Sequence, residues 1–382
     1  MSTVKNNFDD IRSFRDHEVK TIINELLNDS HFKAAAEPAI HPITWEQMSI
    51  AMRNSTTVTA FQRNVIVPVL MQLIKRTTTE TVLLNSDKVK KGGHVLISNH
   101  RDIVLDAAYL NVLLHAHQIE TAEIAAGDNL LAYPWIEKIM RLNKTFLVKR
   151  SVGVRQMLEQ SKHLSDYIHD TIKRRKQSVW IAQREGRAKD SNDKTQTAML
   201  KMLALHNSSH ALATLKELSI VPLAISYELD PTDYLKAKEL QQKRDNPDFK
   251  KSKADDVLSM MTGIMGFKGN VVFQFGDCIN HALNAMPIDT PKNEVIEKTA
   301  LLIDSEIYKN YVFFPFNYVA YDMMMNESKF VSEYTEEGKQ KFEAYLQGQI
   351  DKIDLPNKDV DYLRNKIIEM YANPLKNHLS AK

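Results

Sequence analysis

Cysteine is nearly absent from this sequence: Cys278 is the single one among 382 residues. An intramolecular disulfide is therefore excluded, and a reducing compartment is expected. An excess of either charge is lacking as well: the chain has 50 lysines and arginines and 48 aspartates and glutamates, and its formal net charge is +2. So balanced a chain lacks the basic excess of nucleic-acid-binding proteins, and we expect no nucleic-acid partner.

Long hydrophobic runs are missing too. The longest candidate, residues 65–74, contains Pro68 and Gln72, and it is far shorter than the roughly 20 apolar residues of a membrane-spanning helix. Residues 1–14 are polar and mixed in charge, so we expect no signal peptide. Glycine and proline are sparse, at 11 and 12 residues, which favours a helix-rich protein.

Short apolar runs alternate with helical patterns along the middle of the chain. This alternation predicts an α/β fold, with a mixed, mostly parallel sheet flanked by helices and with helical N-terminal and C-terminal extensions. We predict three regions: a helical region at 1–80, an α/β domain at 81–285 and a helical region at 286–382. A highly charged insertion at about 231–260 is expected to be a solvated helix and loop. The predicted strands lie at residues 82–84, 95–97, 124–128, 145–148, 179–182, 220–226 and 271–276.

The N-terminal region shows helical spacing of apolar residues at 8–27, 45–52 and 61–76. Thr44 and Gln47 have the spacing of a capping box for the second of these helices. In the third, Pro68 is expected to kink the helix or end it. Its basic ends allow two interpretations: the apolar face packs on the protein body, or the helix lies in a membrane surface.

The chain is organised around residues 94–106. An apolar run, preceded by Gly92 and Gly93, predicts a buried strand that stops at Ser98 and Asn99, and a helix follows. His100 and nearby carboxylates therefore lie at a strand-to-helix junction, where open α/β sheets place their sites. Imidazole titrates near neutral pH, and a carboxylate can fix its tautomer. A polar helix cap without chemistry is the competing interpretation.

Two later strands end in cations. Lys149, Arg150 and Ser151 follow the first, where a helix N-terminus with adjacent cations suits a phosphate group. Residues 184–187 follow the second and place Glu185 and Gly186 between two arginines, which could clamp a phosphate while the acid orients them. The polar loop that continues to Asp193 is expected to be mobile and to close over a substrate.

Together these segments resemble the motifs of the glycerolipid acyltransferase superfamily, whose first motif is His, four residues, then Asp. Asn99-His100-Arg101 fits, and the Arg looks like the glycerol-3-phosphate branch. Asp106 lies one residue further than in the family, so either the turn carries an extra residue and Asp106 is the partner, or Asp102 is. We favour Asp106, because Asp102 is only two residues from His100 and can cap the helix.

Three further segments are similar to later family motifs in order and spacing, at residues 146–151, 180–187 and 221–228, and residues 273–277 resemble the last strand of such domains. The resemblance implies catalytic roles for His100 and Asp106. No metal site is expected, because no histidine pair has a third ligand nearby. Substrate-binding roles are expected for Arg101, Lys149, Arg150, Ser151, Arg184, Glu185, Gly186 and Arg187.

The function that this resemblance implies is transfer of a fatty acyl group to a glycerol phosphate hydroxyl in phospholipid biosynthesis. The donor would be acyl-CoA or acyl carrier protein, acting as co-substrate without a further cofactor, and the acceptor glycerol phosphate or a lysophospholipid. We expect a cytoplasmic protein, peripheral at the inner face of the membrane and in contact with its surface. The alternatives are a non-catalytic lipid-binding protein of the same fold, or an acyltransferase for a different lipid acceptor.

Overall fold

The computed structural model describes residues 8–131, 133–150 and 153–381, and within them seven strands form one sheet. The strands are β1 (Glu80–Leu84), β2 (Val95–Ser98), β3 (Glu123–Gly127), β4 (Thr145–Val148), β5 (Val179–Ala182), β6 (Val221–Tyr227) and β7 (Asn270–Phe275). Their order is β1-β7-β6-β2-β5-β3-β4. Neighbours are parallel except β6 and β7, which are antiparallel. The predicted fold class and all seven predicted strands are confirmed.

The helices cover both faces of the sheet and extend beyond it at both ends of the chain. Those up to β5 are α1 (Asp16–Leu27), α2 (Ser30–Ile40), α3 (Trp45–Arg53), α4 (Val58–Phe61), α5 (Val67–Thr77), α6 (Leu105–Ala116), α7 (Pro134–Leu142) and α8 (Val154–Lys173). Those after β5 are α9 (Thr197–Leu203), α10 (Ala211–Glu217), α11 (Asp233–Asp245), α12 (Lys253–Met265), α13 (Asn280–Asn284), α14 (Lys292–Lys309), α15 (Pro315–Met325), α16 (Glu336–Asp351) and α17 (Val360–Ser380). In this described part of the chain, no helix combines the length and apolarity needed to span a membrane.

Both faces of the sheet are buried, which explains why its strands are continuous apolar runs. Side chains alternate between the faces, so Val95 and Ile97 pack in one core with α8 and α14. Leu96 of the same strand packs in a second core with α5 and α6. The two-sided burial fixes the register of the central strands, because a slip of one residue would exchange the two sets.

The N-terminal helices form a core of their own with α7. The predicted capping box is confirmed: Thr44 accepts from the Gln47 N–H, and Gln47 accepts from the Thr44 N–H. The first predicted helix begins only at Asp16, and α2 was not predicted. Residues 62–66 form a π-helical turn, and α5 begins at Val67. The α-helical pattern is therefore interrupted just before Pro68, because proline lacks an N–H and crowds the carbonyl four residues earlier.

The charged insertion is exposed at residues 243–248, as the sequence predicted, but the first part of α11 is buried. Asp233 and Lys236 of α11 are buried, and Ala237 packs in a core with α15, α16 and α17. The α11 charges are tolerated because they find partners: Lys236 pairs with Asp230, and Asp233 accepts hydrogen bonds from hydroxyls and an amide of α16 and α17. The insertion thus shares its core with the C-terminal helices. The division of the chain into three regions stays a prediction.

Candidate active site

Five strands deliver their last residues to one edge of the sheet. The carboxyl ends of β2, β3, β4, β5 and β6 lie there, because these strands are mutually parallel. β1 and β7 run the opposite way, so their first residues lie at this edge as well. We call it the carboxyl edge, and ligand sites of open α/β sheets form at such edges.

Asn99 ends β2 and fixes the position of His100. Its side-chain oxygen accepts from the Ile225 N–H at 2.8 Å, and its side-chain nitrogen donates to the Ile225 carbonyl at 2.9 Å. The side-chain amide thus pairs with β6 as a further backbone residue of β2 would. His100 follows directly and projects from a strand end that is held on both sides.

His100 and Asp106 form a hydrogen-bonded pair. His100 Nδ1 lies 2.8 Å from Asp106 Oδ2, and the Asp106 side chain is completely buried while that of His100 is 13% exposed. Because a carboxylate accepts, the arrangement assigns the imidazole proton to Nδ1 and leaves the lone pair of Nε2 unprotonated. The geometry suits a histidine that takes a proton from a bound hydroxyl.

The extra residue between His100 and Asp106 is accommodated in the turn before α6. Asp106 also accepts from the Arg101 N–H at 2.6 Å and from the Asp102 N–H at 3.1 Å. Asp102 Oδ1 accepts from the first N–H groups of the helix, those of Val104 and Leu105. The structure therefore brings Asp106 to His100 and uses Asp102 as a helix cap, the arrangement that we favoured, although the catalytic roles stay predictions.

Two neighbours of the pair were not singled out from the sequence. The Tyr227 hydroxyl, at the end of β6, donates to Asp106 Oδ1 at 3.0 Å, and burial holds the pKa of this tyrosine well above its usual value, so it remains a donor. The Trp180 ring meets the His100 ring edge-on, with centroids 5.8 Å apart. For Tyr227, the sequence offered one signal: the segment at residues 221–228, which resembles a family motif, ends in Tyr-Glu.

The cations after β4 are partly exposed. Lys149 pairs with Asp10, and Arg150 Nη1 lies 2.9 Å from Glu185 Oε1, which follows β5. Arg150 thus reaches back over the end of β3, whose Asp128 accepts from the Arg150 N–H at 3.2 Å. Glu185 thus pairs with Arg150 across this edge, and its role in orienting the arginines for a substrate stays a prediction. Ser151 lies outside the described residues.

The arginines after β5 separate in depth. Gly186 has φ +66°, where a side chain would be strained, and the turn that it permits sends Arg184 and Arg187 to different places. Arg184 is half-buried. Arg187 is buried, with Nη1 3.3 Å from Thr232 Oγ1 and Nη2 2.9 Å from Ser259 Oγ.

Arg101 is also inside the protein rather than at its surface. Its Nη1 lies 3.5 Å from the fully buried Asp193, and its guanidinium stands over the Tyr311 ring at 5.9 Å. Burial raises the pKa of Asp193, while Arg101 acts in the opposite direction. Arg101 and Arg187 are therefore buried beneath the carboxyl edge and bonded to other protein groups. Direct contact of either with a substrate stays a prediction.

The loop at residues 184–196 is packed, and the expectation of a mobile lid is corrected. Thr195 donates from its N–H and its hydroxyl to Asp304 of α14, at 2.8 and 2.6 Å. The Tyr308 hydroxyl donates to the Asp193 carbonyl, and Asn373 of α17 donates to the Asp190 carbonyl at 2.8 Å. The polar stretch that predicted mobility is thus held to the C-terminal helices, through the backbone carbonyls of Asp190 and Asp193 and through the adjacent Thr195.

One cluster in the described part of the chain has potential metal ligands, namely His169, His206 and Glu217. The two imidazoles are stacked, with centroids 4.2 Å apart and planes 13° from parallel, so one ion cannot lie in the plane of both rings. The Lys173 ammonium is 2.8 Å from Glu217. This geometry does not fit a metal, and the sequence pair of His206 and His210 does not form one either.

The central part of the chain is similar to a known protein family. The family model described as Acyltransferase matches residues 80–226, which include His100, Asp106 and the arginines after β4 and β5. No curated protein matches. The crystal structure of the 1-acyl-sn-glycerophosphate (LPA) acyltransferase PlsC from Thermotoga maritima is 10% identical, with a TM-score of 0.37, over 74% of this chain and 92% of that chain.

Proposed function

We propose a reaction from two observations: residues 80–226 match the family model described as Acyltransferase, and the motifs in this segment resemble those of the glycerolipid acyltransferase superfamily. The protein moves a fatty acyl group from acyl-CoA or acyl carrier protein to a hydroxyl of a glycerol phosphate or a lysophospholipid. The observation that carries the proposal is the 2.8 Å hydrogen bond between His100 and the buried Asp106.

The proposed reaction proceeds by direct attack on the thioester. His100 Nε2 takes the proton of the acceptor hydroxyl as its oxygen bonds to the thioester carbonyl carbon. Asp106 keeps the ring in this tautomer and stabilises the imidazolium that forms. The intermediate then collapses, the carbon–sulfur bond breaks, and the leaving thiolate takes the proton from His100. No bond between enzyme and acyl group is formed.

The acceptor phosphate would bind at Arg150 and Arg184, the two arginines of the edge that are not fully buried. Glu185 supports this assignment, because its ion pair draws the Arg150 guanidinium from β4 towards the β2 side of the edge. Lys149 adds positive charge from the exposed side. Arg101 and Arg187 would add positive potential from behind without contacting the phosphate.

A panel of labelled acyl donors tests the proposal. Long-chain acyl-CoA and acyl carrier protein thioesters are incubated with glycerol 3-phosphate, its 1-acyl derivative and unphosphorylated glycerol, and the labelled products are separated. We expect acylated product with a phosphorylated acceptor and much less with glycerol. Efficient acylation of an acceptor without phosphate would reject the phosphate assignment and favour a different lipid acceptor.

The non-catalytic alternative relied on the displaced aspartate, which in the structure nonetheless reaches His100. Lipid binding without turnover of any thioester in the panel would restore that alternative. As to location, we propose a cytoplasmic protein that acts peripherally at the inner face of the membrane, because the acylated product is an amphiphile, as is the acceptor when it is a lysophospholipid.

A further inference from the structure

Helix α12 has an inverted polarity for a helix at the surface of a protein in water. Its outward side chains Val257, Leu258, Met261 and Met265 are each about half exposed. At 100° per residue, these four positions fall within an arc of about 100° on the helix. A helix that faces water normally exposes polar residues on that side, so the outward face of α12 lacks its partner.

The opposite side of α12 is small and polar and packs on the candidate active site. Ser259 accepts from Arg187 at 2.9 Å. Gly263 lies against Asp102 so closely that a Cβ there would be 2.0 Å from Asp102 Oδ2. Asp102 caps α6, the helix that carries Asp106. Helix α12 therefore packs on the turn that contains His100 and directs its apolar face away from it.

Cations stand at both ends of this apolar face. Lys250 and Lys253 are exposed near the start of α12. The exposed Lys75 and Arg76 stand near its end, because the Thr77 carbonyl of α5 accepts from the Lys268 N–H at 2.7 Å, three residues after α12. Two acids of the first turn of α12 are engaged, since Asp255 is bonded to Ser252 and Asp256 pairs with Lys251.

We propose that the outward face of α12, continued by the exposed Phe267, docks on a membrane whose surface carries anionic phosphate headgroups. Apolar side chains enter the boundary between headgroups and acyl chains while the flanking cations meet the headgroups. The carboxyl edge then opens beside the lipid surface. This inference deepens the proposed function and rests on it for its purpose, but docking is measured without turnover.

The docking face differs from the one that the sequence indicated. The candidate interfacial helix, residues 61–76, includes most of α5, yet Leu73 and Ile74 of α5 are buried in the core with α6. Among the described residues of α5, Met71 is the single exposed large apolar side chain. The default interpretation, packing on the protein body, applies to α5. In the inferred arrangement, α5 contributes the cations Lys75 and Arg76 rather than the apolar surface.

Sedimentation with vesicles tests the inference on the full chain. We expect wild type to bind phosphatidylglycerol–phosphatidylcholine vesicles at low salt, and to bind pure phosphatidylcholine at least tenfold more weakly. Leu258→Asp with Met261→Asp should weaken binding to the anionic vesicles at least tenfold. The matched control, Ile288→Asp with Leu301→Asp, changes two exposed apolar side chains elsewhere and should bind as wild type does.

A second pair separates charge from apolar contact. Lys250→Glu with Lys253→Glu should weaken binding to anionic vesicles at least fivefold, and leave the residual binding to phosphatidylcholine unchanged. Unaltered circular dichroism and Tm of the variants establish that they fold, and turnover of a short-chain, water-soluble thioester should remain within twofold of wild type. If the wild-type protein does not turn over this thioester, the result contradicts the proposed function but not the docking.

Three results would overturn the docking. The first is wild type that stays in the supernatant with anionic vesicles at low salt, and the second is an α12 variant that sediments as wild type does. The third is a wild-type dimer that the α12 substitutions convert to a monomer while vesicle binding persists, since the face would then be covered by a second copy of the chain.

Discussion

The turn after β2 and the loop after β5 meet at the carboxyl edge, but different parts of the chain hold them. The turn is fixed by Asn99, Asp106 and Tyr227, which lie within or next to the segment matched by the family. The loop is fixed from outside that segment, by Asp304 and Tyr308 of α14 and by α17. The comparison indicates that the position of His100 is set locally, whereas the loop after β5 is held by the C-terminal helices.

The largest effect is expected at the turn. His100→Ala removes the proposed base and should lower kcat by roughly 10²- to 10⁴-fold, as loss of a general base does, with the fold retained. Steady-state acyl transfer measures it, and His210→Ala, at an exposed histidine, is the control. Turnover of His100→Ala within threefold of wild type would remove His100 from the mechanism.

The second prediction separates the two aspartates of the turn. Asp106→Asn weakens orientation of His100 and should lower kcat by roughly 10²- to 10⁴-fold. Asp102→Asn retains an acceptor for the helix cap and should change kcat by less than about tenfold, with a stability loss of at most about 1 kcal/mol. The reverse order of effects on kcat would make Asp102 the partner of His100.

The strands were predictable because each is a short, mostly apolar run, and the central strands β2 and β6 are buried along their whole length. The pairing of His100 with Asp106 was predictable because both residues flank one strand-to-helix turn. Burial of Arg101 and Arg187 was not, since their partners Asp193, Thr232 and Ser259 lie tens of residues away in sequence. The charged helix α11 was misjudged for the same reason: its partners lie on α16 and α17.

A smaller effect is expected where β6 meets the turn. Tyr227→Phe removes one of four hydrogen bonds to Asp106, a loss of about 1 kcal/mol, so kcat should fall by up to about tenfold. Tyr133→Phe, at an exposed tyrosine, should have no effect. An unchanged kcat for Tyr227→Phe would show that the remaining three hydrogen bonds orient Asp106 by themselves.

The loop should respond to changes in α14 through binding rather than through chemistry. Asp304→Ala removes the acceptor of both Thr195 hydrogen bonds, so KM for the phosphorylated acceptor should rise about three- to tenfold while kcat stays within twofold. Asp304→Asn retains an acceptor oxygen and should preserve KM. A fall in kcat with unchanged KM would contradict this division between turn and loop.

The last effect concerns the dependence of stability on pH. Burial raises the pKa of Asp304 from 3.8 to about 6, so in the window between these values the folded state binds more protons than the unfolded state. The free energy of unfolding should therefore fall as pH rises from about 4 to about 6, by at most about 3 kcal/mol from this group. Denaturant unfolding should show a shallower decline for Asp304→Asn, and identical slopes would contradict the assignment.

Acceptor-dependent thiol release by the wild-type protein tests the central claim most directly. A long-chain acyl-CoA is mixed with the protein in the presence and absence of glycerol 3-phosphate or its 1-acyl derivative, and free thiol and acylated product are measured together. The account predicts thiol release only with an acceptor, in equal amount to the acylated product. Thiol released at the same rate without an acceptor would contradict general-base activation of the acceptor hydroxyl by His100.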